Sequence, residues 1–255
     1  MALIFDTHAH YYDEAFDKDR YELIESLPSL GVGAVVNVSS TISSAHCAIE
    51  LADKFDYIWA AVGIHPNGVG DANDDDIETI RNLAQKPRVV AIGEIGLDYY
   101  YDHPKRDVQL YWFEKLLELA VSLNLPVIVH DREAHEDTLR LLKKYCPCGV
   151  VHCFSGSVEM AREVISIGMH IGLGGTVTFK NAKKPVEVAA MLPIERLVLE
   201  TDAPYLAPTP FRGKRCHSGL IAHTAARIAE IRSMQVDELL KTTFDNACRL
   251  FNISI

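Results

Sequence analysis

Two histidines, His8 and His10, lie two positions apart directly after a short apolar run at residues 2–5. In an extended strand, residues i and i+2 point to the same side, so both imidazoles are predicted to converge at the end of a strand. Neutral imidazole is the commonest side-chain ligand for metal ions. Taken alone, such a pair is more often two surface or core histidines without a function. A metal site therefore requires further ligands from distant parts of the chain.

Further ionisable side chains occupy the same kind of position, at or just after the end of an apolar, strand-like run. They are His65, Glu94, His130, His152 and Asp202. A single histidine or acid at a strand end is most often an ordinary polar residue, a helix cap or a salt-bridge partner. Leaving His65 aside, four histidines and two carboxylates that shared one face unpaired would, however, be a costly burial of polar groups. A bound metal removes this cost, and the sequence therefore predicts a metal site.

The elements that must bring these residues together alternate along the chain. Strand-like runs are predicted at residues 3–7, 34–38, 58–63, 89–94, 127–130, 150–152, 170–173 and 197–200. Amphipathic helices are predicted at residues 18–30, 43–54, 75–85, 105–123, 133–145, 158–167 and 185–191, with two more at 217–232 and 236–251. Short, nearly continuous apolar strands are typical of a parallel sheet that is buried on both faces.

Eight βα units in a chain of 255 residues predict an α/β fold. We expect a (β/α)8 TIM barrel of the metal-dependent hydrolase type, forming one domain over residues 1–255. The alternative is an open doubly wound sheet, but no Gly-x-Gly-x-x-Gly motif follows the first strand, so a dinucleotide fold is not supported. In a barrel the carboxyl ends of all strands meet on one face, where active sites lie. The candidate ligands are expected on that face.

Six ligands exceed the need of one tetrahedral catalytic ion, which takes three protein ligands and a water. We therefore predict two divalent ions. One ion is assigned to His8, His10, Glu94 and Asp202, and the other to Glu94, His130 and His152. Glu94 is predicted to bridge the ions, and Asp202 to orient or deprotonate the nucleophilic water, which makes both candidate catalytic residues. Two ions about 3.5–4 Å apart suit hydrolysis of phosphate esters, because they generate hydroxide and stabilise the attacking and leaving oxygens.

The identity of the metal is less constrained than its position. Mixed nitrogen and oxygen ligands accept zinc, manganese, iron or, less readily, magnesium. The sequence therefore predicts two divalent ions drawn from this group.

Candidate substrate-binding residues are His65, Arg132, Lys214 and Arg215. His65 lies on the predicted active face, where it could serve either metal or substrate. The net charge of −10 is opposite to that of proteins that coat duplex nucleic acid by general electrostatics. Nucleic acid would therefore bind through bound cations or through a local groove that contains Arg132 after the fifth strand and Lys214 and Arg215 after the eighth. The alternative is that these cations form a solvated rim.

The cysteines and the apolar runs indicate the cellular compartment of the protein. The six cysteines form no Cys-x-x-Cys motif, and we read them as reduced thiols. The sequence contains no signal-peptide pattern and no apolar run of about 18 residues. We therefore expect a cytoplasmic protein without a membrane partner, and a monomer.

Six ordered motifs are similar to those of the TatD family of metal-dependent deoxyribonucleases. They are Asp6-Thr7-His8-Ala9-His10, Gly63-Ile64-His65-Pro66, Gly93-Glu94-Ile95-Gly96-Leu97-Asp98-Tyr99, His130-Asp131-Arg132-Glu133-Ala134, His152-Cys153-Phe154-Ser155-Gly156 and Glu200-Thr201-Asp202-Ala203-Pro204-Tyr205-Leu206. The resemblance implies a (β/α)8 barrel, a divalent-metal site and 3′-to-5′ exonuclease or DNase activity on DNA, with RNA as an alternative polymer. The metal residues of the family fall on His8, His10, Glu94, His130, His152 and Asp202.

The sequence departs from the family at one loop. After Arg212-Gly213-Lys214-Arg215 the family usually continues Asn-Glu-Pro, whereas this chain reads Cys216-His217-Ser218. Loop conformation, substrate fit or activity could differ accordingly.

Two alternatives to a nuclease stay open. One is an amidohydrolase-like enzyme that acts on C–N or ester bonds; many such barrels use a carboxylated lysine as the bridge on the fourth strand, where this chain has Glu94. The other is a catalytically weak metal-binding protein. Retention of all six ligands argues against this second alternative, while the altered loop argues for it.

Overall fold

The fold is described from a computed structural model that covers residues 2–101 and 103–255. Its strands are β1 (Ile4–Ala9), β2 (Val32–Val38), β3 (Ile58–Val62), β4 (Val89–Asp98), β5 (Val127–Arg132), β6 (Gly149–Val151), β7 (His170–Leu173) and β8 (Leu197–Leu199). They form one eight-stranded parallel sheet in the order β1 to β8. The predicted (β/α)8 barrel is confirmed.

The helices surround this sheet and mostly lie where the apolar periodicity places them. They are α1 (Arg20–Ser26), α2 (Ile42–Lys54), α3 (Asp74–Leu83), α4 (Arg106–Leu123), α5 (His135–Tyr145), α6 (Val158–Ser166), α7 (Lys183–Met191), α8 (Ile221–Arg232) and α9 (Val236–Phe251). Ser157 accepts a hydrogen bond from the Met160 amide and begins α6. Asn124 takes a left-handed conformation and ends α4.

Two predicted elements have different bounds for clear physical reasons. The helix expected at residues 18–30 ends at Ser26, and a 3₁₀ turn follows over Leu27–Leu30. Pro28 lacks an amide hydrogen for the α-helical pattern, so the helix cannot continue in that form. Strand β4 continues to Asp98, beyond the predicted end at residue 94, because its last residues pair with β5 as far as Arg132.

Hydrogen bonds between β1 and the chain after β8 close the barrel. The Asp202 amide donates to the His8 carbonyl at 2.9 Å, and the His10 amide donates to the Ala203 carbonyl at 2.7 Å. At the opposite, amino-terminal end, Phe5 of β1 packs against Phe251 of α9. The amino-terminal end near Phe5 is therefore apolar, and the carboxyl end carries His8 and His10. In the described residues, no helix is long and apolar enough to span a membrane.

Candidate metal centre

Strand β1 places His8 and His10 side by side at the carboxyl end of the barrel. Both rings are buried, and their Nε2 atoms are 3.0 Å apart. The Nδ1 atom of His10 lies 2.7 Å from the Val38 carbonyl oxygen, which can only accept a hydrogen. The neutral ring therefore carries its hydrogen on Nδ1, and the lone pair of Nε2 points to His8.

Glu94, in the middle of β4, presents its two carboxylate oxygens to two different sets of nitrogens. Oε2 lies 3.5 Å from His8 Nε2 and 3.6 Å from His10 Nε2. Oε1 lies 2.8 Å from His130 Nδ1 and 2.8 Å from His152 Nε2. A single carboxylate thus stands between two groups of imidazoles, the position predicted for a bridging ligand.

Asp202 completes the first group from the opposite side of the barrel. Its Oδ1 atom lies 3.3 Å from His10 Nε2 and 3.7 Å from His8 Nε2. The residue has a positive φ of 63° directly after β8, an uncommon conformation for a residue with a side chain. The hydrogen bond from its amide to the His8 carbonyl holds it there.

The spacing of these atoms suits metal ions. Ligand bonds of about 2.0–2.2 Å, arranged tetrahedrally, separate the ligand atoms of one ion by roughly 3–3.6 Å. The first group has separations between 3.0 and 3.7 Å. In the second group, Glu94 Oε1 lies 2.8 Å from both imidazoles, which are 3.3 Å from each other. Both groups therefore offer donor atoms suited to a cation, the first at tetrahedral spacing and the second slightly closer together.

The protonation states of the acids also suit cations. Burial raises the pKa of Glu94, but the surrounding imidazoles, His152 first, outweigh it and hold this pKa well below its usual range. Burial likewise raises the pKa of Asp202, while the neighbouring imidazoles, His10 first, outweigh it and lower the pKa. Both acids are consequently ionised at neutral pH, the form that binds a metal.

Two carboxylates to which the sequence interpretation gave no role lie behind the histidines of the second group. Asp98 Oδ2 is 3.4 Å from His130 Nε2, and Glu200 Oε1 is 3.8 Å from His152 Nδ1. Among the described residues these two nitrogens have no hydrogen-bond partner, and these carboxylates are the acids that face them. Both acids belong to motifs at strand ends, so their position was visible in the sequence, although their direction was not.

His65 lies beside the centre in a form that favours donation over metal ligation. Its Nδ1 atom accepts a hydrogen bond from the Asn67 amide at 3.1 Å. The neutral ring therefore carries its hydrogen on Nε2, which lies 3.7 Å from Glu94 Oε1. Burial lowers the pKa of His65 to about 4, which keeps the ring neutral. His65, Asp98 and His130 are close enough to hold an ion, but the hydrogen on Nε2 opposes this.

A cavity of about 690 Å³ opens over the centre. Its walls include His65 and Arg132, as predicted for substrate-binding residues, together with the acids Asp13 and Asp131. Arg132 is the single lysine or arginine among the described residues that line it. The predicted basic groove is therefore reduced to one cation at this cavity.

Lys214 and Arg215, the other two predicted substrate-binding residues, are not among the described residues that line the cavity. The Arg215 guanidinium donates to both oxygens of Asp19, at 2.6 and 2.5 Å, and to the Ala15 carbonyl at 2.8 Å. These contacts hold Arg215 against the segment between β1 and α1, which includes a 3₁₀ turn at Glu14–Phe16.

The loop with the sequence Cys216-His217-Ser218 is connected to the base of the centre. Ser218 Oγ donates to the buried Asp6 carboxylate at 2.7 Å, and Tyr11 Oη lies 2.7 Å from the same hydroxyl. The Cys216 amide donates to the Pro204 carbonyl at 2.9 Å. Buried hydrogen bonds thus connect this loop to Asp6 of β1, the strand that also carries His8.

Comparisons with known proteins agree over nearly the whole chain. The family described as TatD related DNase matches residues 5–252. A protein of Bacillus subtilis (strain 168), named as the uncharacterized metal-dependent hydrolase YabD, is 42% identical and covers 99% of this chain and 100% of its own length. A protein of Erwinia tasmaniensis, named as the 3′-5′ ssDNA/RNA exonuclease TatD, is 33% identical and covers 98% of this chain and 100% of its own length.

A solved structure is similar over nearly the whole chain as well. The crystal structure of YjjV, a TatD homologue from Escherichia coli K12, superposes with a TM-score of 0.93 at 32% sequence identity and covers 98% of both chains.

Proposed function

The chain belongs to the TatD related DNase family, and on this premise we propose that it is a divalent-metal-dependent phosphodiesterase that removes nucleotides from the 3′ end of DNA, with RNA as the alternative polymer. The observation that carries the proposal is the division of Glu94 between two groups of imidazoles, with Oε1 and Oε2 each facing one group. Such a division matches two cations that share one carboxylate. Paired cations are the common solution for in-line displacement at phosphorus.

Each residue of the centre would have a distinct task. His8, His10 and Asp202 would hold one ion, His130 and His152 the other, and Glu94 both. When bound, the ions supply Lewis acidity to the phosphoryl oxygens and to the attacking and leaving oxygens. Asp202 has a second carboxylate oxygen free to accept a hydrogen bond from the attacking water, which would orient it and receive its proton.

His65 and Arg132 would bind the phosphate. The hydrogen on His65 Nε2 and the guanidinium of Arg132 lie on the walls of the same cavity as Glu94. A neutral donor and a fixed cation can both stabilise the charge that develops on non-bridging phosphoryl oxygens. Lys214 and Arg215 would then affect substrate binding only at a distance from the reacting phosphate.

The test is hydrolysis of a 3′-labelled single-stranded DNA by protein that has been exhaustively chelated and then reloaded with Mn²⁺, Zn²⁺ or Mg²⁺. We expect activity only after reloading, and no matching activity on a carboxyl ester such as p-nitrophenyl acetate. Hydrolysis of the ester alone would favour the amidohydrolase-like alternative, and metal binding without any hydrolysis would favour the catalytically weak protein.

Glu94→Gln tests the bridging role. The substitution removes the shared charge, so we expect the bound metal to fall from two ions to one or none per chain, with a loss of hydrolysis of at least about 100-fold. Metal content by elemental analysis and single-turnover rates measure the two effects. Glu22→Gln, at an exposed position of α1, is the matched control. Full activity of Glu94→Gln with two bound ions would contradict the role.

The compartment and assembly state also belong to this proposal. All six cysteines are free thiols, as expected in a reducing compartment. We propose a cytoplasmic monomer, which sedimentation of the purified protein would test.

A further inference from the structure

Tyr101 and Arg132 line the cavity, and together with the neighbouring Tyr100 they form an aromatic and guanidinium surface at its edge. Tyr100 and Tyr101 follow β4, the strand that carries Glu94, and are 54% and 55% exposed. The Arg132 guanidinium carbon lies 3.9 Å from the centre of the Tyr100 ring and 5.1 Å from that of Tyr101. We propose that Tyr100, Tyr101 and Arg132 form a stacking platform for the terminal nucleobase of an unpaired strand end, an inference that rests on the proposed phosphodiesterase function.

The platform is positioned by the centre itself. Asp98, the carboxylate behind His130, accepts a hydrogen bond from the Tyr100 amide at 3.0 Å through Oδ1. Arg132 lies two residues after His130 at the end of β5 and pairs with Asp98 in the sheet. The platform and the second group of metal ligands are therefore supported by the same two strand ends. A base on the platform would place its own phosphate near that group.

The two tyrosine rings of the platform match a nucleobase, while the Arg132 guanidinium beside them keeps its N–H donors for the phosphate. The two tyrosine rings are perpendicular, with centres 4.9 Å apart, so they present one face and one edge. Aromatic faces and guanidinium planes both stack on bases, whatever the sequence. The cavity beyond them contains several carboxylates and one cation, so charge contributes little to holding a long strand. Stacking on the last base is therefore the contact expected to hold the strand end at the cavity.

The geometry also selects an unpaired end. At a duplex end the terminal base is paired with the opposite strand, and reaching a protein ring beside the metal centre requires it to leave that pair. A base at a single-stranded 3′ end has no pair to break. On the other side of the cavity Tyr205, also 53% exposed, is held by a hydrogen bond from its hydroxyl to Asp13 at 2.9 Å. The lining of the cavity therefore includes a second exposed aromatic ring besides that of Tyr101.

The experiment compares two single-stranded oligodeoxynucleotides that differ only at the 3′-terminal residue, one natural and one abasic. For the wild-type protein we expect KM for the abasic end to be about tenfold higher, with similar kcat, because the stacking contact is missing. In Tyr101→Ala the ratio of the two KM values should fall toward one. Tyr101→Phe, which keeps the ring, should retain the wild-type ratio.

Tyr111→Ala is the matched control, since Tyr111 is an exposed tyrosine on the outer surface of α4, away from the cavity of the metal centre. Metal content of every variant reports whether the centre is intact. Equal KM values for natural and abasic ends in the wild-type protein would overturn the platform while leaving the phosphodiesterase function intact. Cleavage of neither oligonucleotide by the metal-loaded protein would remove the proposed function, and the platform with it.

Discussion

At the scale of single residues, the two groups of imidazoles have different surroundings. His10 donates from Nδ1 to a backbone carbonyl, whereas His130 and His152 have their outer nitrogens directed at the carboxylates of Asp98 and Glu200. A carboxylate behind a ligating histidine orients the ring and makes it a stronger base. We therefore expect the metal affinity of the second group to depend on Asp98 and Glu200, two acids that are not assigned as ligands.

Asp98→Asn tests this dependence. The amide is nearly the same size but carries no charge, so the affinity for a divalent ion should fall by about 10–100-fold. Isothermal titration of the metal-free protein with Mn²⁺ or Zn²⁺ measures the change without reference to activity. Asp53→Asn, at an exposed position of α2, should bind as tightly as the wild type. An unchanged affinity in Asp98→Asn would show that the carboxylate does not support His130.

At the scale of elements, strand β4 is the one that organises the centre. It carries Glu94, ends at Asp98 and pairs with β5 through Gly96, which lies opposite His130. Gly96 has a φ of +146°, and a Cβ atom there would come within 2.0 Å of the His130 carbonyl oxygen. The close approach of the two strands, and hence the position of His130, requires a residue without a side chain.

Gly96→Ala should therefore move β5 away from β4. We expect a loss of about 1–3 kcal/mol in the free energy of unfolding, as for other overpacked sites, together with weaker metal binding through displacement of His130. Urea denaturation of the metal-free protein and metal titration measure the two effects. In Gly68→Ala the new methyl group would find its nearest neighbour at 3.6 Å, so this variant should unfold like the wild type. Wild-type behaviour of Gly96→Ala would refute the packing requirement.

At the scale of the whole molecule, the two ends of the barrel differ in the ionisable groups that they contain. The carboxyl end collects histidines and acids around the centre. The other end contains His170, the first residue of β7, which is only 8% exposed. Burial, with a smaller contribution from the charge of Arg196, lowers the pKa of His170 from 6.5 to about 4. Because the unfolded chain binds this proton more readily than the fold does, stability falls as the pH decreases through this range.

His170→Gln should remove the contribution that the depressed pKa of His170 makes to the free energy of unfolding. In the wild type this contribution is fully present above pH 6.5 and is lost as the pH falls from 6.5 toward 4. Between pH 7 and pH 4.5, the free energy of unfolding of the variant should therefore fall by about 2 kcal/mol less than that of the wild type. Urea denaturation at both pH values, with chelator present throughout, provides the measurement. His46→Gln, at an exposed position, should follow the wild type. If His170→Gln also showed the wild-type loss, proton uptake at His170 could not be its origin.

The sequence by itself determined the barrel and which ionisable residues lie together at one end of it. Eight short apolar runs, each ending near an ionisable residue, predict parallel strands whose carboxyl ends meet, and His8, Glu94 and Asp202 must then converge although they are far apart in the chain. This follows because strand direction and the period of two specify which end and which face a residue occupies.

Only the tertiary structure decided where atoms point and where loops run. It turned the two oxygens of Glu94 toward different imidazoles and directed Asp98 at the outer nitrogen of His130. It paired Arg215 with Asp19, although a strand-end pattern allows it to reach substrate. Rotamers and loop paths depend on neighbours supplied by other strands, and no local sequence pattern contains those neighbours.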